Sequence, residues 1–165
     1  MSNFEEIYEQ VDQVEGWMGK ADLETLYTYA KNVKGLIVEI GSYMGRSTKL
    51  LALASPQSKI VAIDFYGKNV FSSHNEDIIK NYFLKVTQGL NITLIQKKSA
   101  VAGSEWKDPI DFLHIDGSHL YGTVKKDIDL FVPYLKKGCY VFFHDYNEKN
   151  GLEKYQPDKH GAWKA

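Results

Sequence analysis

The chain has 165 residues, of which 44% are apolar and 25% charged, with a formal net charge of -1. That length suits a single domain with its own core, and a near-neutral balance without a Lys/Arg block speaks against nucleic acid as a partner. The single cysteine, Cys139, excludes an intrachain disulfide and points to a reducing cytoplasmic compartment, while no basic-then-apolar leader opens the chain and no run nears the roughly 20 apolar residues of a membrane span.

In chain order, Phe4, Ile7, Tyr8, Val11 and Val14 recur at helical spacing and predict an amphipathic helix, interrupted at Gly16. Leu23, Leu26, Tyr27 and Ala30 mark a second helix with Asp22 as its expected N-cap. LIVEIG (36–41) is a β-branched run ending in glycine, read as a buried strand. Arg46 to Ala54 follows as a helix stopped before Pro56, and KIVAID (59–64) is a second strand. Ser73-x-x-Glu76 has the form of a capping box ahead of Ile78, Ile79, Tyr82, Phe83 and Val86 on one helical face, which Gly89 ends. ITLIQKKS (92–99) reads as a third strand and Asp111 to Ile115 as a fourth. Leu120, Val124, Ile128 and Phe131 give a helix closed by Pro133, and Gly138 turns the chain into a fifth strand, CYVFFHD (139–145). Continuous apolar strands alternating with helices predict a parallel sheet covered on both faces. The expected fold is α/β: a Rossmann-like, doubly wound domain over 35–165, preceded by a helical lead over 1–34.

Open α/β sheets bind ligands outside the carboxyl ends of their strands. The residues found there are Glu39 to Ser47, Asp64, Ser99, Asp116 to His119, and His144 with Asp145, all polar or glycine-rich stations. The first loop, Glu39-Ile-Gly41-Ser42-Tyr43-Met-Gly45-Arg-Ser47, does not fit the G-x-G-x-x-G of dinucleotide binders. A carboxylate two residues before its first glycine would repel a pyrophosphate and attract an amine or a sulfonium. Asp64, ending the second strand, suits the two hydroxyls of a ribose, and adenine could lie against Ser99 at the end of the third. After the fourth strand, Asp116 could bind a divalent ion with Asp145, lowering the pKa of an acceptor hydroxyl. His119 could take the proton. His114, inside the strand, reads as a hydrogen-bonded core histidine, and Cys139 as a small buried hydrophobe.

The order VEIGSYMGRST, IVAID, FLHIDGSH, then a glycine before an apolar strand ending in HD resembles the class I S-adenosylmethionine-dependent methyltransferases. Within them it looks most like the branch holding macrolide-sugar O-methyltransferases and cephalosporin-hydroxylase-like proteins, over about Gly16 to Asp145. The resemblance implies that Glu39 holds the methionine amino group, that Gly41, Ser42, Tyr43, Gly45 and Ser47 wrap the methionine and ribose end, and that Asp64 and Ser99 serve the ribose and adenine. It implies a magnesium ion, with manganese as alternative, on Asp116 and Asp145, and His119 as general base. One position departs from the pattern: His144 stands where the family often has glutamate, which lends the site transition-metal character or makes His144 a supporting residue.

The resemblance also implies a seven-stranded sheet, yet residues 146–165 show no strand pattern, so the last two strands are expected to be missing. The fifth strand would then be an open edge for the tail or a partner chain to cover, giving the expectation of a homo-oligomer. Trp17, Tyr43, Tyr66, Tyr121 and Trp163 are candidates to line the pocket of a small-molecule acceptor. The functional expectation is an S-adenosylmethionine-dependent O-methyltransferase. A methyltransferase-like binding module without turnover is the alternative, and an NAD-linked oxidoreductase is disfavoured by the loop.

Overall fold

A computed structural model describes residues 3–67, 74–144 and 162–164 of the chain. Helix α1 (Phe4–Val11) opens at Asn3, whose side chain accepts the Glu6 N–H while the Glu6 carboxylate accepts the Asn3 N–H. That reciprocal cap satisfies two donors that a helix start leaves free. Helix α2 (Lys20–Ala30) is capped by Gly19 rather than by Asp22. Asp22 lies a turn inside the helix and reaches back, accepting the Gly19 N–H at 3.2 Å.

Strands β1 (Leu36–Ile40), β2 (Lys59–Ile63), β3 (Ile92–Ile95), β4 (Ile110–Ile115) and β5 (Leu135–Phe143) form a parallel sheet in the order β3-β2-β1-β4-β5. The expected fold is the observed one. The strands are apolar along their length because helices cover both faces. On one face Ile37, Ile60, Phe112 and Phe142 pack with Ile7, Val11, Leu23, Leu26 and the α3 (Arg46–Ala54) residues Leu50 and Leu51. The helical lead is thus one layer of the same core. On the other face Val38, Ile40, Leu113, Ile115, Val141 and Phe143 meet α5 (Ser99–Ser104) and α6 (Tyr121–Phe131). Helix α4 (Glu76–Val86) closes a third cluster, in which Ile79 and Phe83 pack with Met44, Ala62 and Tyr66.

Several boundaries differ from the sequence reading. Asn75 caps α4, accepting the Ile78 N–H at 2.9 Å, while Ser73 lies outside the described residues. The third strand stops at Ile95, and Ser99 opens a helix instead of ending a strand. β5 begins at Leu135 and passes through Gly138 at φ +86°, with a register shift opposite Ile110 and Phe112. A short strand β6 (Ala162–Lys164) pairs antiparallel with Tyr140 to Phe142, where no strand pattern had been read. Among the described residues no helix is long and apolar enough to cross a membrane.

Candidate active site

β1 and β4 are neighbours whose onward connections run to opposite sides of the sheet, which places a crevice at their carboxyl ends. Backbone bonding continues one residue beyond the strands: Gly41 N–H donates to Ile63 at 2.9 Å, Asp116 N–H to Ile40 at 2.8 Å, and His144 N–H to Ile115 at 3.2 Å. Gly41 sits at φ +84°, and a Cβ there would fall 2.4 Å from the Asp116 carbonyl oxygen. Only glycine lets the loop after β1 lie against the loop after β4.

Asp64 braces the glycine loop. Its Oδ2 accepts the Ser42 and Tyr43 N–H groups, each at 2.9 Å, and its Oδ1 accepts the Tyr66 N–H at 2.9 Å. Three of about four acceptor positions on the carboxylate are therefore used, leaving one on Oδ1. Tyr43 and Tyr66 are held at φ +44° and +48°, a left-handed conformation that non-glycine residues keep only when their surroundings impose it. Ser42 is buried with its Oγ 3.2 Å from the Tyr66 hydroxyl, and burial pushes the Tyr66 phenol well above its ordinary pKa. Gly45, at φ +90°, precedes α3, and Ser47 is buried in the first turn of that helix. The N-terminal lead grips the same loop: the Trp17 ring packs at a tilt against Tyr43 with centroids 4.4 Å apart, the Tyr43 hydroxyl donates to Glu15 at 2.7 Å, and Arg46 donates to Asp12 and to the Gly16 carbonyl.

Glu39 is fully buried. One carboxylate oxygen accepts from the Thr48 hydroxyl, and the other lies 3.0 Å from His114 Nδ1, which is equally buried. The pairing follows from register, since Glu39 and His114 face each other across β1 and β4. The resemblance assigns Glu39 to a ligand amine; in this structure both of its oxygens are engaged within the fold. His114 is the core histidine the sequence suggested, with its Nε2 buried and without a hydrogen-bond partner among the described residues.

At the ends of β4 and β5 the same register brings Asp116 beside His144, one residue past the Ile115–Phe143 pair. His144 Nδ1 lies 2.9 Å from Asp116 Oδ1, and His119 Nε2 lies 3.7 Å from the same oxygen. Burial raises the Asp116 pKa, but hydrogen bonding to His119 and His144, with attraction from His114 and His144, overrides it and holds the group at about 2. The His144 side chain is 7% exposed and its Nε2 lies 3.9 Å from Asp22 Oδ2, whereas His119 is 54% exposed. Asp116, His119 and His144 can each offer one ligand atom within 4.8 Å of the others. Asp145 lies outside the described residues. One carboxylate and two imidazoles fit Mg²⁺ poorly, because that ion prefers oxygen donors.

Ser99 stands at the start of α5, not at a strand end, and faces Asp127 of α6. The Asp127 carboxyl is buried, has no hydrogen bond of ordinary geometry, and has its pKa raised by burial. Thr48 and Asp127 carry no local spacing signal, and Asp22, expected only as a helix cap, also faces His144. Each acts through a tertiary contact, although a lone aspartate on the apolar face of α6 was visible in the heptad around Val124, Ile128 and Phe131.

A family profile described as "Methyltransferase domain" matches residues 38–146. An uncharacterized protein of Acanthamoeba polyphaga mimivirus is 29% identical over 125 residues, covering 73% of this chain and 55% of that protein. A candidate caffeoyl-CoA O-methyltransferase from Staphylococcus aureus aligns in structure with a TM-score of 0.61 at 21% identity, over 87% of this chain and 66% of that one. The O-methyltransferase TomG of Streptomyces achromogenes, involved in tomaymycin synthesis and solved with S-adenosylmethionine, aligns with a TM-score of 0.63 at 14% identity, over 85% of this chain and 62% of that one. At such identities the structural likeness shows the fold. The chain spans just over half the length of the mimivirus relative and just under two thirds of these two structures.

Proposed function

The chain belongs to the methyltransferase-domain family, matched over residues 38–146, and from that membership we propose that it binds S-adenosylmethionine at the β1–β4 crevice and transfers its methyl group to a small-molecule hydroxyl, a sugar being the first acceptor class to test. The observation that carries the reading is the braced loop: Asp64 fixes Ser42 and Tyr43 while Gly41 lies on Asp116. This leaves a tight turn before a helix N-terminus, a shape suited to the methionine and ribose end of a nucleoside. Asp64 Oδ1 keeps one acceptor position for a ribose hydroxyl.

Methyl transfer to oxygen is an in-line displacement that forms a C–O bond, breaks the C–S bond and requires the hydroxyl to lose its proton. The exposed His119 beside Asp116 is the group we assign to receive it, with the carboxylate stabilising the imidazolium. Aromatic residues at the rim, Trp17 and Tyr121, are exposed and available to an acceptor.

Calorimetric titration of the chain with S-adenosylmethionine, S-adenosylhomocysteine and NAD tests the cofactor: heat with the first two and none with NAD is expected, and silence with both adenosyl compounds ends the proposal. A second reading, cofactor binding without turnover, is favoured by His144 standing against Asp116 where the family it resembles often has a glutamate. Radiolabelled methyl transfer to a panel of hydroxyl compounds separates the two.

A further inference from the structure

We infer that Asp116, His119 and His144 form a binding site for a divalent transition metal, of the zinc, cobalt or iron(II) kind, in preference to magnesium. The inference concerns the acceptor end of the site proposed above, and its test does not depend on methyl transfer. Three observations carry it. The donors converge: Asp116 Oδ1 lies 2.9 Å from His144 Nδ1 and 3.7 Å from His119 Nε2, and all three ligand atoms fall within 4.8 Å. Ligands about 2.0–2.1 Å from a tetrahedral zinc-like ion stand about 3.3 Å apart, so little movement is needed to close on one.

The donors are also of the right chemistry. Two imidazoles and one carboxylate are the donor set used by transition dications that accept nitrogen ligands, whereas magnesium would find a single carboxylate in the cluster. Finally, His144 is held in place before any ion arrives. Its side chain is 7% exposed, Nδ1 faces Asp116, and Nε2 faces the Asp22 carboxylate at 3.9 Å. A small closure of that gap would let Asp22 accept the Nε2 proton, the arrangement that orients metal-bound histidines. With an ion bound, His119 Nε2 is a ligand and not a base, so the two roles of that nitrogen are alternatives selected by metal content.

The test uses the full chain without a histidine tag, stripped with a chelator and titrated with Co²⁺, Zn²⁺ and Mg²⁺ by calorimetry, with cobalt followed also by its visible absorption. One equivalent of Co²⁺ or Zn²⁺ should bind at least about tenfold more tightly than Mg²⁺, as the ligand preferences of these ions require. His119→Ala and His144→Ala should each weaken cobalt binding by about tenfold or more and alter the visible spectrum, while His74→Ala leaves both unchanged. Melting curves and S-adenosylmethionine titrations of each variant report folding and cofactor binding separately. Cobalt binding in a chain that ignores S-adenosylmethionine would overturn the proposed function but not the metal site. Magnesium binding as tight as cobalt, or cobalt binding indifferent to both histidine substitutions in folded variants, overturns the metal site.

Discussion

At the scale of single residues, two carboxylates at the crevice behave in opposite ways because of what surrounds them. Glu39 is sealed between Thr48 and His114. Removing it strands the Thr48 hydroxyl and His114 Nδ1, both buried. Glu39→Ala should therefore destabilise the fold by about 3 kcal/mol or more, combining lost partners with a cavity. Glu39→Gln, which keeps the volume and one acceptor, should lose less; urea denaturation of both variants measures the difference, and equal losses would show that charge and not hydrogen bonding matters there. Asp116 keeps some contact with solvent and is held at about 2, below its ordinary 3.8. A depressed carboxylate stabilises the fold above its unfolded value and ceases to do so as pH falls through the folded one. In the metal-stripped chain, the stability gap between wild type and Asp116→Asn should be full above about pH 4 and shrink steadily toward about pH 2. A gap that is flat across that window would mean that the histidines do not act on the carboxylate.

At the scale of elements, the contact between the loops after β1 and β4 decides whether a crevice exists at all. Gly41→Ala sets a Cβ against the Asp116 carbonyl at 2.4 Å and asks alanine to hold φ +84°. The loop should shift off Asp116 and out of the bracing by Asp64, so S-adenosylmethionine affinity should fall by about a hundredfold while the melting temperature drops by only several degrees. Retained affinity in a folded variant would show that the cofactor does not use this turn. The same elements show why some of the fold was legible. LIVEI and KIVAI are read as strands because helices on both faces demand continuous apolar runs, and the helix over Arg46–Ala54 was read with its observed bounds. Ser99–Ser104 was missed because SAVAGS carries small residues and no amphipathic stripe. The start of β5 was missed because Lys136, Lys137 and Gly138 interrupt its apolar pattern. The strand-end stations after β1, β2 and β4 were legible from fold class alone, whereas Ser99 proved to open a helix. The pairing of Asp116 with His144 was not, because it depends on the register between β4 and β5, which no local pattern encodes.

For the molecule as a whole, the β5 edge is where fold and assembly meet. An open edge presents unpaired N–H and C=O groups that invite a second chain, and the expectation of a homo-oligomer rested on that hazard. The chain itself answers part of it: Tyr140, Val141 and Phe142 pair with Lys164, Trp163 and Ala162 of β6. Parallel pairing with β4 on one side and antiparallel pairing with β6 on the other leave this stretch of β5 bonded on both flanks. The edge-based reason for association therefore weakens as long as the tail is present. Removing residues 146–165 should reverse that. The truncated chain should retain its cooperative melt, because the buried clusters on both sheet faces draw on elements before the cut, yet it should associate through the exposed strand. Sedimentation velocity at tens of micromolar should show a concentration-dependent dimer or larger species for the truncated chain and a lighter, concentration-independent species for the full one. Adding Tyr140→Lys, a charge at the half-buried residue of the uncovered edge, should suppress the association if pairing through β5 is its cause. Association that persists unchanged with that substitution would place the contact elsewhere on the molecule.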